Sequence, residues 1–366
     1  MCSRPRFKTA KHSKFLTFAS ASFVLYVSSE SKVRAAHVEP FLRTPVIIFF
    51  AVMVTALPVK AGGLTLPPEA TNAMARMYDG DPEAAIVIAK KLQQSQPDHP
   101  LGFLLEAEAE WWKTYCAASE IKYGMVDAWK RGKNSEDEAY LALSDKVINL
   151  AQAQLSQSET AEMHFYAGTG YALKARLFGL RGEHHAVAHA GVSARKEFLR
   201  ALQLDPDMAD ATSGIGLYNY YVDSFSSIVK MLGFFMGIPG GNKQEGIRQM
   251  QIGIEHGVLM SVDTRFYLAN NLRKYDHKYE EAVTVAEPLV TQYPHNPVYL
   301  LLLGNLNAEL SRNDKAAEYF HGVLNLPAIQ TSCPPSTGAA DADAANCAPC
   351  FARARDIANS LLASPQ

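Results

Sequence analysis

No apolar run in the first sixty residues, where the two longest stand, reaches the roughly twenty residues a helix needs to cross a bilayer. Phe15–Val27 and Pro45–Leu57 are each 13 residues long. Motifs that announce chemistry are missing too. There is no nucleophile elbow, no Walker loop, no dinucleotide fingerprint and no HExxH pair. Nor is there a basic stripe. The net charge is −2, but residues 1–61 hold nine Lys/Arg against Glu30 and Glu39, which leaves the rest of the chain at −9. An acidic body is a poor match for phosphate backbones, so nucleic acid is excluded as a partner. Cysteine is scarce, with five in 366 residues (Cys2, Cys116, Cys333, Cys347, Cys350).

What is present begins with a basic leader. The run PVIIFFAVMVTAL follows Arg43 and leads into Val59-Lys60-Ala61, a small-residue pattern suited to signal-peptidase cleavage before Gly62. No Leu-x-x-Cys lipobox follows it. The expectation is an exported protein, periplasmic or associated with the cell envelope, with residues 1–61 as export signal or membrane anchor.

From Leu66 onward apolar residues recur at helical spacing, and no segment alternates convincingly as a strand. Ser135 with Glu138 predicts a capping box, and Asn242 an N-cap after Pro239-Gly240-Gly241. Residues 116–134 read as an inter-helix connection longer than a standard turn. Near the C-terminus the sequence repeats itself at a 34-residue offset: Phe266, Asn270, Ala282 and Ala286 fall on Leu300, Gly304, Ala316 and Phe320. Small residues at such a period let two antiparallel helices cross closely. The pattern resembles the tetratricopeptide (TPR) repeat over roughly 66–328. The segment GIGLYNYYVDSFSSIVKMLGFFMGIPGGNKQEGIRQM also resembles a motif of bacterial TPR-like proteins of undefined role and, more faintly, the eukaryotic TPR-like family of inclusion-body clearance proteins. These resemblances imply an all-α, TPR-like α-solenoid of about six antiparallel helix pairs with a C-terminal capping helix. The expected organisation is a repeat domain over 62–328, a flexible linker over 329–349 and a short helix over 350–366.

Candidate sites follow from that register. Asn271 and Asn305 share position 9 of a first helix, and Tyr220 and Tyr221 stand at positions 12 and 13 of the preceding unit. First helices of a TPR superhelix line its concave face, and an amide there offers donor and acceptor to a peptide backbone. The four residues are the predicted partner-binding set. Residues 225–239 are too apolar for a solvated loop, and serve either as extra core or as a patch for a partner or membrane. His185 and His189, one turn apart, invite a metal reading but lack a third ligand and read as a solvated face. Glu106, Glu108 and Glu110 read as solvated carboxylates. In an exported protein Cys333 is expected to pair with Cys347 or Cys350. The Cys347-x-x-Cys350 spacing lacks the βαβ context of a redox motif.

Together these point to a non-enzymatic scaffold or adaptor, without cofactor, that holds a peptide or partner helix in its groove. The alternative is a membrane-peripheral or lipid-handling protein acting through residues 225–239.

Overall fold

Helix starts in the body are fixed locally. Proline opens α1, α2, α3 and α11 at a position where its missing N–H is no loss. Asp81, His99, Thr160, Asn242 and Asn296 each accept a hydrogen bond from a backbone N–H two or three residues on. The Asn242 cap is the one its sequence context predicts. The computed structural model describes residues 63–224, 233, 237–327 and 349–363, all within one unit, Val59–Gln366.

Among the described residues are thirteen helices: α1 (Pro68–Tyr78), α2 (Pro82–Ser95), α3 (Pro100–Ala117), α4 (Glu136–Leu155), α5 (Ala161–Arg181), α6 (His184–Leu204), α7 (Ala209–Ser224), α8 (Lys243–His256), α9 (Ser261–Lys274), α10 (Tyr279–Gln292), α11 (Pro297–Glu309), α12 (Asn313–Asn325) and α13 (Pro349–Ala363). The chain is all-α in class, and each helix packs on the next. Small residues make this possible. At Gly216 an added Cβ would stand 2.8 Å from the Gly246 carbonyl oxygen, so α7 and α8 meet backbone to backbone. Gly304 does the same for α11, receiving the Phe320 ring of α12 where a Cβ would be 2.3 Å away.

Two local expectations are corrected. Residues 119–128, within the long connection, form an antiparallel hairpin of β1 (Ser119–Lys122) and β2 (Met125–Ala128). Its two-residue turn, Tyr123 at φ 54° and Gly124 at φ 77°, matches the twist of the strands it joins. Ser135 is itself helical and makes no side-chain cap. Asn134 Oδ1 takes the Glu136 N–H instead, at 3.2 Å.

The first helices also meet the late ones. Tyr78 donates to Asp263 Oδ2 at 2.5 Å, Asn296 Nδ2 donates to the Tyr78 carbonyl at 2.8 Å, and the His295 N–H reaches Asp79 Oδ1 at 3.1 Å. Helix α13 lies against α3, β1, α11 and α12. Between these helices sits an aromatic centre in which Trp112 touches Tyr78, Tyr115, Phe266 and Tyr299 at ring-centroid distances of 5.0–6.2 Å.

Candidate partner-binding site

The hairpin is seated on α3, α9 and α11 by a buried polar lattice. Asn305, on α11, receives the Val126 N–H on Oδ1 at 3.2 Å and donates from Nδ2 to the Gly124 carbonyl at 2.8 Å. Arg273, fully buried, donates to Asn305 Oδ1 at 2.5 Å and to Asn270 Oδ1 at 2.7 Å. On β2, buried Asp127 accepts from Tyr115 at 2.8 Å and pairs with Lys274. Beside these groups lies a cavity of about 10 Å³, lined by Ser119, Asp127, Asn270 and neighbouring apolar side chains. It has room for about one water.

The predicted partner-binding residues are thus found engaged by the chain itself. Asn305 reads a peptide backbone, and that backbone is the protein's own hairpin. Tyr220 is fully buried and donates to Asp276 Oδ2 at 2.8 Å and to the Asn271 carbonyl at 3.1 Å. Half-buried Tyr221 donates to Asn271 Oδ1 at 3.1 Å. Tyr220, Asn271 and Asn305 are buried, and Tyr221 is half-buried. The Asn271 Nδ2 has no partner among the described residues.

Above this base the hairpin tip presents an aromatic and cationic surface. Tyr123 is 88% exposed and packs edge-to-face with Trp129, their ring centroids 5.9 Å apart. Lys274 and Lys122 lie over the Trp129 ring, with Nζ at 4.8 and 5.6 Å from its centroid. Tyr275, 45% exposed, extends the surface toward Tyr221, its ring centroid 6.4 Å away. The Trp129 indole N–H has no partner among the described residues. The sequence held a sign of this site that helical periodicity masked: two four-residue segments flank Tyr123-Gly124, a glycine-containing two-residue turn.

Other sequence expectations fall as follows. Glu106 and Glu108 are not solvated: Gln93 and Lys90 hold the first, Arg176 the second at 2.5 Å. Helix α3 is covered on almost every side, so its spread of carboxylates around the axis leads inward as well as out. Glu110 stays half-exposed beside Lys113. Burial raises Glu108 to a pKa of about 7 despite the Arg176 charge, and burial likewise raises Asp263. His185 and His189 are exposed, and among the described residues no three potential ligands cluster for a metal. Cys350 is bonded to Cys116, 234 residues away in sequence. That overturns the Cys333–Cys350 alternative, because the docking of α13 on α3 brings Cys116 within reach. Cys333 and Cys347 lie outside the described residues, as does most of 225–239.

Compared with known proteins, the chain matches no family model and no curated protein.

Proposed function

We propose that the chain is a non-enzymatic, TPR-like α-solenoid adaptor of the bacterial cell envelope, holding a protein or peptide partner against the hairpin tip. The observation that carries this reading is Tyr123, a bulky side chain at φ 54° with 88% of its surface exposed. The left-handed conformation costs an L-residue about 1–2 kcal/mol, and Asn, Asp or Gly suits this turn position better. With only the edge-to-face contact to Trp129 in return, strain kept at an exposed aromatic argues for use in recognition. Tyrosine and tryptophan are also the residues on which binding energy concentrates. Tyr220, Tyr221, Asn271 and Asn305 contribute from beneath, by holding the platform rigid.

The solenoid reading is supported by the 34-residue echo in burial. Phe266 and Leu300 are both buried, as are Ala282 and Ala316, and Ala286 and Phe320. In this reading α1–α12 form six pairs and α13 caps them. Export is supported by the disulfide, which needs an oxidising compartment to persist, and by the leader sequence.

The test is site-specific photocrosslinking in the native host. A crosslinker at Tyr123 or Tyr275 should trap a discrete protein, whereas one at Val87, 47% exposed on α2, should not. Equal yields at all three positions would remove the hairpin tip from consideration. The apolar sequence of 225–239 favours a second reading, attachment to a membrane surface. Flotation of the protein with liposomes, lost on replacing Phe234 and Phe235 by serine, would select it.

A further inference from the structure

We infer that α13 is a redox-released clasp, locked onto the helical body by Cys116–Cys350 and freed when that bond is reduced. Its non-covalent hold is modest. Ala354, Ile357 and Ala358 are buried in one cluster with Leu301, Phe320 and Val323, and Phe351, Leu361 and Leu362 pack against it only partly buried. Arg353 donates to the Ser119 carbonyl at 2.7 Å and Arg355 to the Leu326 carbonyl at 2.8 Å. Helix α13 has 15 residues, a length at which an isolated helix is marginal in water. Undocking therefore also melts it, and the conformational entropy so regained opposes rebinding. The body does not depend on α13 in the same way: α1–α12 pack consecutively, and the late helices are tied to α1 through Tyr78, Asp79 and Asn296.

The two cysteines differ in exposure. Cys116 is 2% exposed, whereas Cys350 is half-buried. A dithiol reductant, either a small dithiol or a thiol–disulfide oxidoreductase, therefore attacks Sγ of Cys350. One thiolate forms a mixed disulfide there and expels the Cys116 thiolate, which takes up a proton. The second thiol of the reductant then displaces Cys350, so two electrons and two protons pass to the protein and the reductant becomes a disulfide. Release bares the seat formed by Leu301, Phe320 and Val323 and frees the hairpin edge at Ser119.

Hydrogen exchange with mass spectrometry on the full chain tests this. Without reductant, peptides containing Cys116 and Cys350 should be linked and residues 349–363 protected. With dithiothreitol, exchange over 349–363 should rise at least about tenfold, while α3 and α9–α11 keep their protection. Cys350→Ser should reproduce the released state without reductant. Three results would each overturn the inference: no Cys116–Cys350 link, unchanged protection of 349–363 on reduction, or loss of protection throughout α3 and α9–α11.

Discussion

Both ends of the Asn305 amide are engaged by the hairpin backbone, with Arg273 adding a third bond. Removing it takes from the Arg273 guanidinium one of its two bonds, the other being to Asn270, and leaves two hairpin backbone groups without this partner; a buried group left unpaired costs about 1–3 kcal/mol. Asn305→Ala should therefore destabilise the protein by about 3 kcal/mol in urea unfolding. A purely recognition role would leave the midpoint unchanged. Glu108 makes a different prediction. Its folded-state pKa of about 7 lies above the free value because burial disfavours the charge. The folded protein then keeps a proton that the unfolded chain has lost, so this group's contribution is full below about 4.3, the unfolded value, and disappears as pH rises to about 7. Urea midpoints should fall between about pH 5 and 7 and level off above. Glu108→Gln, which still accepts from Arg176, should flatten that slope; a variant with the full slope would assign it to another group.

At the scale of elements, the hairpin turn and the α7–α8 crossing are the informative pieces. Tyr123→Asn puts a residue suited to positive φ into the turn and should stabilise the protein by about 1 kcal/mol. The same change should weaken crosslinking or capture of a partner at the tip. Gain of stability with no loss of capture would separate Tyr123 from recognition. The Gly216–Gly246 contact leaves no room for a side chain. Gly216→Ala should cost about 1–3 kcal/mol through overpacking, read as a lower thermal midpoint. Helices and their crossings were legible in the sequence because caps, prolines and small residues act locally. The hairpin was not, since four-residue strands offer too few alternations to stand out against helical periodicity.

For the whole molecule, contact between the first helix and the late ones is the decisive feature. An open repeat array transmits stability only between neighbours. Here Tyr78 on α1 bonds Asp263 on α9, 185 residues away. Tyr78→Phe leaves a buried carboxylate short of a donor and should cost about 1–3 kcal/mol. It should also raise hydrogen exchange in α9 as well as in α1; a rise confined to α1 would mean the two ends are not energetically joined. The candidate site depends on the same long-range packing. Lys274, the last residue of α9, pairs with Asp127 of the hairpin, 147 residues away.

Local patterns along the chain were enough to determine the all-α class, the helix start at Asn242, the close crossings and the 34-residue echo. Each depends on groups within a turn or on the spacing of one amphipathic face. Only the tertiary structure decided which faces stay open. Asn271, Asn305 and Tyr220 have the chemistry of a peptide-reading surface, but burial and hydrogen bonding are set by whatever arrives opposite them. What arrives is the chain's own hairpin and its own inner helices. The pairing of Cys350 was decided in the same way, since a disulfide follows proximity in space and Cys116 lies 234 residues upstream.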